Sequence, residues 1–329
     1  MNAVDEPRSG RWHPAPADAG LRVGVLGTGY WAEWCHGTAL AGHPEVELVG
    51  FWGRDPAKAA AVAARVGGRG FHDVDELFDA VDAVSIAVAP DVQAPLAIRA
   101  AQAGLHLLLE KPLALDLADA DQVVAAVESA HVASLTHVSL LFEPAVQAWL
   151  DELADLAGRH GPWEGTAVRR LGSIDQPGSP YRDSTWRREK GGLCDLGPHA
   201  LSLVGELLPP VVGVGAGRGM RDGVNVVLEH EGGAGSVLTL TVSAAPTAAG
   251  ASVAVWGPGG RHELTLPPGD PLLAYRHAVD HLRGTVTAGS RHRLDARYGR
   301  DLVAVLQAAE RDLGRPGLEP LASPRAACP

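Results

Sequence analysis

The stretch Gly27-Thr28-Gly29-Tyr30-Trp31-Ala32 constrains this chain more than any other, because it sets glycines at fixed spacing between a strand and a helix. The apolar run Leu21–Leu26 precedes it and reads as a buried parallel strand; a helix-like segment follows from Tyr30. In such a G-x-G-x-x-A pattern the first glycine permits a tight turn and the second permits close approach of the backbone to a pyrophosphate. The alanine keeps the helix against the strand. The helix N-terminus then offers unpaired N–H groups and a positive dipole end to phosphates. A glycine turn that merely connects strand to helix is the alternative, and the strand-before, helix-after context weighs against it.

The alternation continues downstream. Residues 45–52 form a second strand, and Asp55-Pro56 opens an Ala-rich helix to Val66, with proline where its missing N–H costs nothing. A short helical piece over 75–80, a strand over 83–88, a helix over 94–103, a strand over 105–109 and a helix over Leu117–Ala130 complete the series. Turns of a few residues between such elements predict one doubly wound parallel sheet covered by helices on both faces, a Rossmann domain. Beyond it, strands over 163–174, Val211–Arg218, 224–231 and 236–243 are separated by Gly-rich turns, which predicts antiparallel pairing. Strands over 252–256 and 262–266 extend that sheet, and helices over 272–283 and Ala296–Leu313 close the chain. The expected fold class is α/β: a mobile tail over 1–20, a Rossmann domain over 21–137, and an α+β domain with a mostly antiparallel open sheet over 138–329. The end after Gly314 reads as loose.

At 329 residues the chain exceeds what one core usually organises, consistent with two domains. Its 28 basic and 39 acidic residues give a net charge of −11, which repels a phosphate backbone and excludes nucleic acid as the expected partner. No apolar run suits a signal peptide or a bilayer span, so no membrane partner is expected. Cys35, Cys194 and Cys328 are too few and too far apart for a disulfide framework, which fits a reducing cytoplasm. Cys194 lacks any companion with metal-ligand spacing and reads as a small buried side chain, so no metal is assigned.

The end of the second strand bears on the cofactor. Dinucleotide folds often place Asp or Glu there to bind ribose hydroxyls, whereas this chain has Gly53 followed by Arg54. Loss of the carboxylate removes a repulsion against a 2′-phosphate and the guanidinium offers a charge-assisted partner. NADP is therefore favoured, with NAD possible if Asp55 serves the ribose and Arg54 is only a solvated helix-start residue.

Glu110-Lys111-Pro112 at the end of a strand and Asp195-Leu196-Gly197-Pro198-His199 downstream give the chain a resemblance to the glucose-fructose oxidoreductase, inositol dehydrogenase and MocA-like (Gfo/Idh/MocA) family. GTGYWA, His36, ELVGFWGRDPAKA, VDAVSIAVAPD, AGLHLLLEKPLAL and TWRREKGGLCDLGPHAL support it in that order. The resemblance implies an NAD(P)-dependent oxidoreductase. It would move hydride between a nicotinamide and a carbonyl or alcohol of a sugar, cyclitol or related small metabolite. Lys111, Asp195 and His199 are then the catalytic group. Cofactor contacts fall to Gly27, Thr28, Gly29, Tyr30, Trp31, Gly53, Arg54, Ala87, Val88, Pro90, Gln93, Glu110 and Lys111. Trp186 and Arg187 join Asp195 and His199 at the substrate, unless they are only a cation–π pair fixing a loop. A homodimer or homotetramer built through the open sheet face is also implied.

Elementary chemistry agrees with these roles. A spacing of four puts Asp195 and His199 on one face of a helical turn. An imidazole exchanges protons near neutrality, and an ammonium stabilises developing alkoxide charge. Several positions depart from the family pattern: Val88-Ala89-Pro90 with Gln93, Leu141-Phe142-Glu143-Pro144, and Ser202 three residues after His199. They leave the Lys/His pair intact and open the substrate question. Reduction of a keto group is the reading that follows from NADPH; an imine or non-sugar ketone reductase of specialised metabolism and a non-catalytic dinucleotide-sensing regulator are the alternatives.

Overall fold

The computed structural model describes residues 20–266 and 268–315. The tail expected over 1–20 lies, apart from Gly20, outside the described residues, as do Cys328 and the chain beyond Arg315.

The first sheet is built as the alternation requires. Strands β1 (Leu21–Leu26), β2 (Val46–Trp52), β3 (Arg69–Phe71), β4 (Ala83–Ile86), β5 (His106–Glu110) and β6 (Ser134–His137) lie in the order β3-β2-β1-β4-β5-β6, every pair parallel. Between them run α1 (Thr38–Ala41), α2 (Pro56–Val66), α3 (Val74–Ala80), α4 (Pro90–Gln102) and α5 (Leu117–Ala130). Strands β4 and β5 are buried along their whole length, as strands covered on both faces should be. Asp55, Asp73 and Asp116 accept hydrogen bonds from the first backbone N–H groups of α2, α3 and α5. The strand order reverses between β1 and β4, and the glycine loop sits at that switch point.

Two short strands, β3 and β6, went unpredicted. Each has four residues or fewer and takes its conformation from pairing, not from local pattern.

The second sheet has the order β12-β11-β7-β10-β9-β8, formed by β7 (Gly165–Leu171), β8 (Val211–Arg218), β9 (Val224–His230), β10 (Gly235–Thr241), β11 (Gly250–Gly257) and β12 (Gly260–Thr265). It is mostly antiparallel, but β7 and β10 pair in parallel. The expectation that only Gly-rich turns separate these strands is corrected here: α7 (Thr185–Leu207) lies between β7 and β8. Its glycines and Pro198 disguise it in sequence. Gly191 (φ +61°) kinks it, and a Cβ on Gly192 would stand 2.7 Å from Thr241 backbone. The absent side chain is what lets the helix lie against β10. Asp222 secures this contact by accepting hydrogen bonds from Gly192 N (2.9 Å), Val242 N (2.7 Å) and the Thr241 hydroxyl (2.6 Å). Helix α6 (Pro144–His160) was also unforeseen, although Val146, Leu150 and Leu153 bury one helical face.

Helices α8 (Pro271–Ala288) and α9 (Ala296–Leu313) return to the first sheet. Ala296 and Val303 pack in the same apolar cluster as Leu107 and Leu109 of β5, and Thr136 N donates to Leu294 O at 2.7 Å. The outer face of the second sheet is left bare, with Val227 of β9 opposite Val237 of β10, 53% and 44% exposed. Among the described residues no helix is long and apolar enough to cross a membrane.

Several histidines are held neutral inside this frame. Burial pushes His106 down to about 4, against a smaller upward pull from Asp82, and its Nδ1 accepts from Ala133 N at 3.0 Å. His292 is likewise pushed down to about 4 by burial, by His281 and by Arg293. Unfolded, each titrates near 6.5. Above that value neither state binds the proton and the contribution is whole; as pH falls from 6.5 toward 4 the unfolded chain takes up protons first, so stability drops. For His106 alone the loss at pH 5 is about 2 kcal/mol. Urea unfolding should therefore show a lower midpoint at pH 5 than at pH 7, and an equal or higher one would refute the assignment.

Candidate active site

The glycine loop has the clearances its pattern requires. Gly27 sits at φ +140°, and a Cβ there would stand 2.3 Å from Ala87 O, so only glycine fits. Nothing lies within 4 Å of where a Cβ on Gly29 would be, which leaves the backbone open toward the cleft. At the end of β2, a Cβ on Gly53 would meet the Thr28 side chain at 2.7 Å. That packing explains why no carboxylate occupies the position. Arg54 is exposed beside it, and Asp55 spends its Oδ1 on capping α2 through Ala57 N (3.0 Å) and Lys58 N (3.2 Å).

The cleft next to the loop has a volume of about 610 Å³. Gly27, Thr28, Gly29, Tyr30, Trp31, Gly53 and Arg54 line one end; Ala87, Val88, Pro90, Gln93, Glu110 and Lys111 line its floor; Trp186, Arg187, Asp195 and His199 reach it from α7. Every residue assigned in sequence to catalysis, cofactor or substrate thus lines one cavity. Gln93 is placed there in a supporting capacity. Its amide nitrogen donates to Glu110 O (2.7 Å), Pro112 O (3.0 Å) and Leu113 O (3.1 Å), and its oxygen accepts from Glu110 N (2.8 Å). The side chain is committed to shaping the Glu110–Lys111–Pro112 turn, whose Lys111–Pro112 peptide is cis.

Glu110 is the hub beneath the loop. Its Oε1 accepts from Trp31 Nε1 (2.9 Å), His36 Nε2 (3.0 Å) and His137 Nδ1 (3.1 Å), and Oε2 accepts from Lys111 N (3.3 Å). Burial alone would raise this carboxyl, but the hydrogen bonds from His137 and His36 override it and hold Glu110 well below the usual carboxylate range. The first helix of the domain opens with a π turn over Ala32–Gly37. A turn closed from i to i+5 brings residues five apart onto one side. Trp31 and His36 accordingly meet the same carboxylate oxygen. Burial lowers His36 and keeps it neutral, so with Nε2–H donated to Glu110 its Nδ1 accepts from the Ser85 (2.7 Å) or Tyr275 (2.9 Å) hydroxyl. Those two hydroxyls are 2.5 Å apart.

Lys111 crosses from the first domain to the second. Its Nζ donates to Asp195 O (2.7 Å) and Asp195 Oδ1 (2.9 Å), while Arg187 Nε donates to Asp195 Oδ2 (3.2 Å). Burial would raise the Asp195 carboxyl, but Lys111 and Arg187 together hold it below its ordinary value. Arg187 also lies over the rings of Tyr181 (4.3 Å) and Trp186 (4.5 Å), so the cation–π pair foreseen as an alternative is present together with the ion pair. One turn beyond Asp195, His199 is buried, and its Nδ1 has no hydrogen-bond partner among the described residues. Burial first, then the charges of Lys111 and Arg170, push it well below its ordinary value, so its imidazole is neutral at neutral pH. Cys194 is buried with its thiol pushed up to about 11 by burial, an inert side chain. Among the described residues no cluster of His, Cys, Asp or Glu is placed to hold a metal.

Sequence reasoning missed His137, Tyr181, Ser184 and Tyr275. His137 stands beside Glu110 in the parallel register of β5 and β6, a pairing that no local pattern announces. Tyr275 lies 239 positions from His36 and is brought to it by tertiary packing alone.

A parallel βα domain with a glycine loop at its switch point, facing a helix of a second domain that carries an Asp and a His, is the architecture of a two-domain dinucleotide-binding protein. Residues 21–137 match the family described as "Oxidoreductase family, NAD-binding Rossmann fold". Over that domain, about a third of its length, the chain is similar to the Gfo/Idh/MocA oxidoreductases. UDP-N-acetylglucosamine 3-dehydrogenase of Acidithiobacillus ferrooxidans is 35% identical over 128 residues, 39% of this chain and 40% of that enzyme. D-apiose dehydrogenase of Paraburkholderia graminis is 33% identical over 165 residues, 48% of this chain and 43% of that enzyme. The chain thus matches less than half the length of either relative. Among solved structures, GenD2 from gentamicin A biosynthesis, in complex with NAD, shares the fold with a TM-score of 0.79 at 22% identity, over 92% of this chain and 96% of that one.

Proposed function

We propose that this protein is an NAD(P)-dependent oxidoreductase that moves hydride between the nicotinamide and a C–OH or C=O carbon of a sugar, cyclitol or related small metabolite. One observation carries the reading: Lys111 from the first domain and Asp195 and His199 from the second line the cleft that the glycine loop opens. The donor set fits a dinucleotide, since Gly29 leaves the backbone bare where a diphosphate would approach and the orphaned His199 imidazole lies in the same cavity. Gly27, Thr28, Gly29 and Tyr30 would hold the diphosphate, and Arg54 the adenosine ribose. When bound, the nicotinamide supplies or accepts the hydride.

The chain's own residues handle the proton. An ammonium has three donors, and two of those on Lys111 are engaged by Asp195; the third remains for a substrate oxygen. Asp195 has a positioning role, because Lys111 and Arg187 occupy both of its oxygens. His199, neutral, is ready to accept the proton of an alcohol during oxidation. In the reductive direction the same path runs backward: the proton returns to the substrate oxygen through His199, while the Lys111 ammonium stabilises the alkoxide charge in both directions. Arg54 favours NADPH, and so an NADPH-dependent reductase. The relatives support a sugar as substrate, since one is named for a nucleotide sugar and another for apiose.

Titration monitored by nicotinamide fluorescence should find NADPH bound more tightly than NADH, with Arg54→Ala removing the difference; equal or weaker binding of NADPH rejects the role of Arg54. On whichever sugar of a panel turns over, Lys111→Ala and His199→Ala should each lose at least ~10²-fold in turnover with an unchanged circular dichroism spectrum. Near-normal turnover in either variant removes that residue from the mechanism. The bare apolar face around Val227 and Val237 suits pairing with a second copy of the chain, and light scattering should give a dimeric or tetrameric mass. A monomeric mass at micromolar concentration would contradict it.

A further inference from the structure

We propose that His137 is a further cofactor-contacting residue of this cleft: its Nε2, left open by the protein, accepts a hydrogen bond from the carboxamide N–H of a bound nicotinamide. The inference rests on the dinucleotide reading above and adds to it the group that selects the amide end of the cofactor.

The sheet order puts His137 on the side where that end belongs. In β3-β2-β1-β4-β5-β6 the glycine loop follows β1, and Gly53 and Arg54 follow β2. Ligands of such a sheet bind in the crevice outside the carboxyl ends of its strands. With the diphosphate at β1 and the adenosine ribose at β2, the nicotinamide half is left the ends of β4, β5 and β6. Glu110 is the last residue of β5, and His137, its partner in the parallel register, is the last residue of β6. Both line the cleft.

The imidazole is only half committed. Glu110 is held ionised, so its Oε1 can only accept, and His137 Nδ1 is the donor in their 3.1 Å contact. In the neutral ring the lone pair then falls on Nε2. That nitrogen is buried and has no hydrogen-bond partner among the described residues. Phe142 and Tyr275 pack against the ring, 5.8 and 4.9 Å between centroids, and the Tyr275 hydroxyl is engaged with Ser85 and His36. His36 supplies the contrast. It meets the same carboxylate oxygen, yet its other nitrogen is bonded to Ser85 and Tyr275 inside the protein. Of these two histidines on one carboxylate, the one on the cleft wall keeps a nitrogen open.

A buried acceptor without a donor is costly until a ligand supplies one. Lys111 and Arg187 carry donors alone and can serve only a ligand oxygen. An imidazole fixed from behind by a carboxylate presents a single acceptor in a set direction, which is what an amide N–H requires.

The test takes the more tightly bound of NADPH and NADH and compares it, by tryptophan fluorescence at pH 8, with its reduced 3-acetylpyridine analogue. In that analogue a methyl group replaces the amide nitrogen and the carbonyl is kept. The natural cofactor should bind at least ~10-fold more tightly, the scale of one hydrogen bond to a buried acceptor. His137→Phe should bind the two alike. His137→Asn, whose shorter amide can donate to Glu110 and still accept from a ligand, should keep only part of the difference. The matching ADP-ribose fragment, which lacks the nicotinamide, should bind all three proteins equally and so reports an intact fold and glycine loop. The proposal is overturned if the unmodified protein binds cofactor and analogue alike, or if the preference survives in His137→Phe. Where His137→Phe no longer holds the fragment, a preference undiminished in His137→Asn overturns it as well. Failure of the unmodified protein to bind either dinucleotide would instead remove the reading on which the proposal rests.

Discussion

The contact between Lys111 and Asp195 joins the first sheet to α7 inside the cleft. Both side chains are nearly dry, at 10% and 11% exposure. Desolvating two charges costs more than their attraction returns unless the remaining hydrogen-bonding capacity is also satisfied. Here it is: Lys111 reaches the Asp195 backbone oxygen as well as its carboxylate, and Arg187 takes the second carboxylate oxygen. The pair is therefore best understood as a device for geometry. It holds an ammonium at the cleft with one donor unspent, and it fixes the turn of α7 from which His199 projects.

That contact is only as exact as the turn that bears Lys111, and the turn is held from below. Gln93 bonds the backbone of Glu110, Pro112 and Leu113, while the Glu110 carboxylate collects N–H donors from Trp31, His36 and His137. Trp31 belongs to the glycine loop and His36 to the π turn behind it, so that loop and the turn bearing Lys111 share one carboxylate. Tyr275 of α8 reaches into the same network through His36 and Ser85. A supporting shell of this kind, satisfied at nearly every atom in a low-dielectric interior, defines one arrangement sharply.

The parts legible in sequence were those encoded over short distances. The glycine loop, α5 and α9 were readable because apolar period, cap and glycine position all lie within one element. Lys111, Asp195 and His199 were legible only through resemblance to a family, since an E-K-P turn and a D-x-x-x-H helix carry no local sign that they meet. Helix α7 was hidden because its glycines look like loop residues; Gly192 is there for contact with β10, a tertiary reason that propensity cannot express. The parallel pairing of β7 with β10 was hidden for a related reason, as its partners are separated by two other strands and a helix. His137 and Tyr275 escaped notice because each matters through what faces it, and what faces it is remote in the chain.

Charge distribution shows the same division between local and global information. The whole chain carries −11, yet the cleft gathers Lys111 and Arg187 around the Asp195 carboxylate and has Arg54 at the glycine-loop end. Low-dielectric walls concentrate the field of such a cluster, whereas the acidic excess elsewhere is spread over solvated surface and screened within roughly 10 Å. The local field in the cleft therefore differs in sign from the field of the chain as a whole at long range. What a net charge of −11 means for a small ligand in the cleft is decided by where the arginines stand rather than by how many there are.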